Sequence, residues 1–457
     1  MTIPLDNLYD YIFSLTGHTN KNLIMYRFEP YGSKNIKDLI VHNNLDDIYG
    51  YDDKKEKLFS YHYKLLFCYD QEPLNFDLYM SKHFDESRKN IFEKIEGQKN
   101  KFNNSLGKKL IRKMNIAGHP SVPVSVYDKS VLLHSEKNSE DLKKYEQNDF
   151  IGAYYWSHAF IALDWYRFAD HDKSLKFISD IQFKKDFNVY CRAWTGTREY
   201  RLKFLELLNK NNIDKKSNIF FNENCDSEHY STYPINEKQW EVDIKNIDNL
   251  TCCIPRNVDS SASATYESDD YQTSAIDVVL ETVFNKNKIQ LTEKILRPIA
   301  CGKPFILVSD KESLKYLKSY GFKTFEYLID ESYDLIENSK DRLYAIVETM
   351  KKISNLPKKE KNQLFFEMHK IAEYNKKWFF SERFFDIINS ELEDNLTCAL
   401  DMLDHPCYQT GKNLKLEYRT YRRYQKHLSG ESKKFADMII EEYPARIELS
   451  KRNIGIS

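Results

Sequence analysis

Leu291-Thr292-Glu293-Lys294-Ile295-Leu296-Arg297-Pro298-Ile299-Ala300-Cys301-Gly302-Lys303-Pro304-Phe305-Ile306-Leu307-Val308 is the stretch on which the fold turns. A polar Thr-Glu-Lys opens a helix, Gly302 closes it, and a four-residue apolar run follows at once. The spacing predicts a helix over 292–301 and a buried strand over 305–308. Outward from it the same alternation continues. Strands are expected at 187–191, 218–221 and 276–284, and helices at 199–209, 312–320 and 341–356. Upstream, the short apolar runs 23–26, 65–69, 122–127 and 131–133 read as strands, with helices over 84–96 and 106–114 between them. Continuous apolar runs, as opposed to alternating ones, belong to parallel strands covered on both faces, and parallel strands need crossover helices. The chain therefore reads as α/β.

The aromatic run 151–168 is broken by His158, Asp164 and Arg167, too short and polar to cross a bilayer, and reads as a core helix. A charged stretch at 170–186 marks a domain boundary. That gives an N-terminal α/β domain over 1–180, a second α/β domain over 181–390, and a helical C-terminal extension over 391–457.

With 457 residues, of which 41% are hydrophobic, and only 13 Gly and 12 Pro, the chain is long enough and apolar enough for real cores and is not low-complexity or disordered. Lys and Arg number 68 against 69 Asp and Glu, so no whole-protein field draws in nucleic acid or an anionic membrane. Any nucleic-acid contact must come from a local patch, and 412–426 is the candidate: Lys412, Lys415, Arg419, Arg422, Arg423 and Lys426 interleave with Tyr418, Tyr421 and Tyr424. A solvated amphipathic helix with its tyrosines on the core accounts for the same pattern. The eight cysteines include no C-x-x-C pair and no histidine at zinc-finger spacing, so no metal is expected. The first seventeen residues lack the basic start and apolar centre of a signal peptide, and a cytoplasmic protein is expected.

Ligands of open α/β sheets sit beyond the carboxyl ends of the strands, so the polar residues that follow apolar runs carry the candidate chemistry. Asp70-Gln71-Glu72 follows 65–69 and offers Asp70 and Glu72 as general bases, or as helix caps and lysine partners. His134 and Glu136 end another strand and are candidates for the acceptor side. After 187–191 come Arg192-Ala193-Trp194-Thr195-Gly196-Thr197-Arg198-Glu199-Tyr200, a small-residue turn into a helix with Thr197 as its N-cap. Free N–H groups beside Arg192 and Arg198 suit a phosphate, and an arginine at a helix start otherwise opposes the dipole. At the third place Thr292 and Glu293 read as ordinary capping or as a ribose-binding carboxylate, with Lys294 placed to neutralise a diphosphate. Neither G-x-G-x-x-G nor a Walker A pattern is present.

The 291–308 stretch resembles the nucleotide-sugar signature of the fucosyltransferase-like (alpha-1,3-fucosyltransferase) family of glycosyltransferases, in which a Thr-Glu-Lys opens the helix ahead of a Gly-Pro-Phe-type lead into a strand. The 192–200 stretch is similar to that family's strand-turn-helix element, with Arg198 where the family has its donor-phosphate arginine. Asp70-Gln71-Glu72, followed by Asn75-Phe76, is similar to an acidic-amide-acidic segment whose first carboxylate is the family's catalytic base. The chain departs at two positions: Gln290 stands where the family has an aromatic residue, and Asp70 where it has Glu. The resemblance covers 65–79 and 187–330. It implies a GT-B architecture of two Rossmann-like domains facing a cleft, and an inverting, metal-independent transfer of a sugar from a nucleoside diphosphate to an acceptor hydroxyl. No cofactor is implied beyond that donor, and the implied acceptor is a glycan or other hydroxyl compound. Two other readings stay open: a non-catalytic interaction protein that keeps the donor pocket, and a transferase acting on a modified DNA base through 412–426.

Overall fold

The computed structural model of the chain describes residues 3, 7–16, 23–28, 36–40, 51–52, 57–58, 62–68, 73–74, 76, 125–126, 130–147, 150–175, 183–251, 253–255, 265–403 and 437. It is a mixed α/β protein that divides into two compact units. One, the N-terminal unit, comprises Asp6–Ser135, Glu140–Trp156 and the chain from Ser390 on; the other, the central unit, contains Glu136–Ser139 and Ser157–Asn389.

In the N-terminal unit, helix α1 (Leu8–Leu15) precedes strands β1 (Leu23–Phe28), β2 (Ile36–Ile40), β3 (His62–Cys68) and β4 (Ser130–His134). Helix α2 (Glu140–Gln147) and strand β5 (Phe150–Tyr154) follow. The sheet order is β2-β1-β3-β4-β5; β2 pairs antiparallel with β1 at the edge and the remaining pairs are parallel. Every residue of β4 is buried, as a strand covered on both faces requires. Of the expected strand at 122–127, Ser125–Val126 is a short strand beside β3. The helices expected over 84–96 and 106–114 lie outside the described residues.

The aromatic run expected as one helix over 151–168 is instead two elements and a turn. Its first residues form β5, in parallel register with β4 from Ser130↔Phe150 to His134↔Tyr154. Helix α3 (Ser157–Trp165) and a 3-10 turn (Arg167–Asp170) take the rest. Periodicity does not separate a buried strand from a buried helix in a largely apolar run, and here pairing with β4 decides it.

In the central unit come β6 (Lys185–Cys191), α4 (Tyr200–Lys210), β7 (Ser217–Phe221), β8 (Cys253–Pro255) and α5 (Ser268–Thr273). They are followed by β9 (Ser274–Leu280), α6 (Glu293–Ala300), β10 (Phe305–Val308), α7 (Ser313–Ser319), α8 (Ser339–Asn355) and α9 (Lys358–Phe379). The five strands are all parallel in the order β8-β7-β6-β9-β10. The chain thus starts in the middle of the sheet, runs outward one way and then returns to run outward the other way. The direction reverses between β6 and β9, and the crevice beyond the carboxyl ends of those two strands is where such sheets bind ligands. Gly302 ends α6 with φ +67°, a left-handed conformation that closes the helix as expected.

Strand β9 stops at Leu280, four residues short of the expected end, because the chain leaves the sheet at Glu281 to reach the start of α6. One boundary between the two units falls between Trp156 and Ser157. Helix α10 (Glu382–Leu403) carries the chain back into the N-terminal unit, where Asn395 Nδ2 donates to the Tyr154 carbonyl at 2.8 Å. Among the described residues no helix is long and apolar enough to cross a membrane.

Candidate functional site at the switch point

Strand β6 ends at Cys191, and the chain turns through half-buried Arg192 toward α4. Trp194 anchors the turn: it is fully buried, and its indole N–H donates to the Asn222 carbonyl at 2.8 Å. Gly196 has φ +60° in an open position, so glycine is needed there for backbone conformation alone. A 3-10 turn over Gly196–Arg198 then delays the α-helix to Tyr200. This corrects the expected helix start: Thr197 is not its N-cap. Thr197 Oγ1 donates instead to the Thr282 carbonyl at 3.3 Å, across to the exit of β9. Glu199 takes the cap position, but its carboxylate turns to the neighbouring loop, accepting from Tyr233 Oη and from the Asn236 and Glu237 backbone N–H groups at 3.0 Å each.

The first residues of α4 tie the two strand exits together. Tyr200 Oη donates to the Glu281 carbonyl at 2.6 Å, and its ring stacks on Phe284 at 4.4 Å. Arg201, 3% exposed, spreads its guanidinium between the Ala193 carbonyl beyond β6 (2.5 Å) and the Leu280 and Glu281 carbonyls at the end of β9 (2.7 and 2.8 Å). An arginine fork supplies several donors in one plane, which is what three converging carbonyls need.

Glu281 carries the arrangement to α6. Its carboxylate, with no exposed surface, accepts from the Thr292 N–H at 3.1 Å, from Thr292 Oγ1 at 2.7 Å and from the Thr282 N–H at 3.3 Å. Burial pushes this carboxyl upward, against the pull of Lys294 and of the Thr292 hydrogen bonds. Thr292, the N-cap of α6 as expected, accepts from the Lys294 N–H at 3.3 Å. Lys294 Nζ donates back to Thr292 Oγ1 at 3.2 Å and to Glu293 Oε1 at 3.0 Å. His158 of α3 stands behind Glu293, Nε2 to Oε2 3.6 Å. Burial alone would raise Glu293, but the Lys294 ammonium and then His158 outweigh it and hold the carboxyl down at about 2. Glu293 is therefore an anion at all ordinary pH values, at a helix N-terminus, with a cation on one side.

Two stretches about a hundred residues apart in the sequence, 192–200 and 292–294, thus meet around Glu281. The sequence reading missed Glu281, Arg201 and His158. For Glu281 the signal was a carboxylate inside the run Asp277-Val278-Val279-Leu280-Glu281-Thr282-Val283-Phe284, which was read as strand to its end. Deeper in the unit, Asp277 of β9 accepts from Asn188 Nδ2 at 3.1 Å, and burial, opposed by Arg297, raises its carboxyl to about 6. Lys303 donates to the Ser274 carbonyl at 2.5 Å, and burial lowers its ammonium to about 7.

The remaining candidates lie elsewhere. His134 is 2% exposed in the N-terminal unit, with its ring edge-on to Tyr154 at 5.9 Å. Glu136 belongs to the central unit, 1% exposed and paired with Lys288 at 3.0 Å, so the two acceptor-side candidates fall in different units. Asp70 and Glu72, and the basic patch 412–426, lie outside the described residues. No group of three or more His, Cys, Asp or Glu residues able to hold a metal occurs among the described residues. No family model and no curated protein matches the chain.

Proposed function

We propose that the chain is a glycosyltransferase of GT-B type, built from two Rossmann-like domains with a helical C-terminal extension, that moves a sugar from a nucleoside diphosphate to an acceptor hydroxyl in the cytoplasm. The observation that carries the reading is the convergence of the arginine-bearing turn and the Thr292-Glu293-Lys294 helix start on Glu281, at the reversal point of a five-stranded parallel sheet. In this reading the ionised Glu293 accepts the ribose hydroxyls, while Lys294 and Arg198 hold the diphosphate near the N-terminus of α6, with Arg192 beside them. Asp70 takes the proton of the acceptor hydroxyl, with Glu72 two residues on. The acceptor oxygen attacks the anomeric carbon, the bond from that carbon to the phosphate oxygen breaks, and the charge that develops on the leaving diphosphate is met by the two cations. That is work a metal does elsewhere, and here the side chains suffice for it. A positioned base contributes about 10²- to 10⁴-fold.

Thermal-shift screening against a panel of nucleotide sugars, with and without EDTA, tests the proposal. A true donor at about 100 times its dissociation constant adds roughly 2.7 kcal/mol of stability. The expected stabilisation is equal with and without chelator, and its loss on chelation would remove the metal-free mechanism. Donor hydrolysis then separates an enzyme from a protein that only keeps the pocket.

A further inference from the structure

Glu281 stands where neither the strand nor the helix needs a carboxylate. It follows the last paired residue of β9, and its side chain is wholly buried, a location where an apolar residue of similar size would be the less costly choice. Its hydrogen bonds show what the carboxylate does. Through its carbonyl it receives Tyr200 Oη and Arg201, the first residues of the helix that follows the arginine turn. Through its carboxylate it receives both the N–H and the hydroxyl of Thr292, and so fixes the first turn of α6. The Thr282 N–H donates at 3.3 Å to Oε2, the oxygen that also receives the Thr292 hydroxyl, while the Thr292 N–H goes to Oε1; the Thr282 carbonyl receives Thr197 from the arginine turn. One residue thereby sets two spacings, by main chain on one side and by side chain on the other.

We propose that Glu281 is a positioning residue for the donor diphosphate: in its ionised form it fixes the distance between the Arg198 turn and the Thr292–Lys294 helix start, without itself touching the ligand. The inference rests on the donor reading given above. When Glu281 takes up a proton, one of its oxygens turns from acceptor to donor, and the N–H groups of Thr282 and Thr292 no longer both have a partner. The groups that face it are Lys294 and Glu293 on α6, the latter paired with His158 of α3, and Tyr200 and Arg201 of α4 at its carbonyl. Burial raises its carboxyl, so that protonation comes at a higher pH than for an exposed glutamate.

The test is calorimetric titration of the full chain with inorganic pyrophosphate, a diphosphate without base or sugar, between pH 5 and 8. Glu281→Gln, which is isosteric but cannot ionise, is expected to weaken pyrophosphate at least tenfold at pH 7.5 while melting as one folded species. Glu281→Ala should weaken it further. The wild type should lose affinity on acidification more steeply than Glu281→Gln, whose profile then follows only the ligand and the neighbouring groups. A glutamine variant that binds within twofold of wild type, with a parallel pH profile, overturns the positioning role and leaves the donor reading standing. A wild type that binds neither pyrophosphate nor any nucleoside diphosphate overturns both. Should Glu281→Gln fail to fold, Thr292→Val and Thr292→Ser decide: valine deletes the hydroxyl that Glu281 holds and should lose affinity tenfold, serine should retain it, and wild-type binding by the valine variant overturns the inference.

Discussion

Replacing Glu293 by glutamine should leave the protein less stable at neutral pH, and the deficit should vanish on acidification. The carboxyl is held at about 2 in the folded protein, against an ordinary 4.5, by Lys294 and His158 acting against burial. A carboxylate whose folded value is depressed contributes stability that is fully present above its unfolded value and is lost as pH falls through the folded one. The window is therefore pH 5 down to 2. The size of the shift corresponds to about 3 kcal/mol. For a unit of this length that is roughly 6–12 °C in Tm. Glu293→Gln keeps the shape of the side chain but cannot ionise. The expected result is a variant that melts several degrees below wild type at pH 7, with the gap closing steadily below pH 5. Thermal melts of both proteins at pH 7, 5, 4 and 3 measure it, and only the difference between them matters, because the other carboxylates titrate in both. A gap that stays constant with pH would show that Glu293 acts through shape or helix capping, and that the Lys294–Glu293–His158 electrostatics contribute little. On the ligand side, the same substitution should cost affinity for ribonucleotides more than for their 2′-deoxy counterparts, since its proposed partners are the ribose hydroxyls.

Arg198→Ala should lower donor affinity by roughly 2 kcal/mol or more, with Arg198→Lys recovering part of it, because charge-assisted bonds to phosphate are being removed and a lysine offers one point charge in place of a fork; isothermal titration decides, and unchanged donor affinity would make the arginine a structural partner. Asp70→Asn should reduce turnover about 10²-fold or more with donor binding nearly intact; an active Asp70→Asn beside a dead Glu72→Gln would move the base by two residues. The Lys303 ammonium is depressed to about 7, so it favours the unfolded state once both forms are charged, and its penalty fades as pH rises from about 7 toward 10. Lys303→Met should flatten that part of the Tm–pH curve, and a variant with the wild-type slope would discount the burial.

Four of the central unit's five strands were legible in the sequence because each holds a short, mostly apolar run set between polar helix starts; β8 was not expected. Phe305–Val308 falls on its expected bounds, and β6 and β7 differ from expectation by two residues or fewer at either end. What misled was burial without periodicity: Phe150–Tyr154 and Ser157–Trp165 are both mostly apolar and aromatic, and only the partner strand β4 tells them apart. The arginine turn was legible as a phosphate candidate, yet its helix start was not, since Thr197 satisfies the N-cap pattern while its hydroxyl finds a better acceptor in a strand exit eighty-five residues away. Glu281 shows the same limit from the other side. A local pattern names the residues that could bond; which of them do is fixed by elements that meet only in the folded chain.

On the donor reading proposed above, the charges around the start of α6 couple the two halves of the ligand. Lys294 is held by Glu293 Oε1 and Thr292 Oγ1, both within its own turn, and remains 30% exposed, so it can change partner by rotating its side chain. A diphosphate that draws Lys294 away leaves Glu293 desolvated and without that counter-charge, unless hydroxyl donors arrive at the same carboxylate. A ribose supplies them. Conversely, a nucleoside without phosphates has to compete with Lys294 for Glu293 and gives the lysine nothing in exchange. Phosphate and ribose binding are on this account coupled through a single ion pair, and each should be weak alone. Pyrophosphate and nucleoside affinities measured separately should therefore fall short of what the intact nucleoside diphosphate implies, beyond the ordinary advantage of linking two fragments. Lys294→Met should abolish that excess: it removes the competitor for the ribose site together with the phosphate contact, so nucleoside affinity should hold or rise while diphosphate affinity falls. A variant in which both fall together would place Lys294 in the structure of the helix start, and the coupling with it.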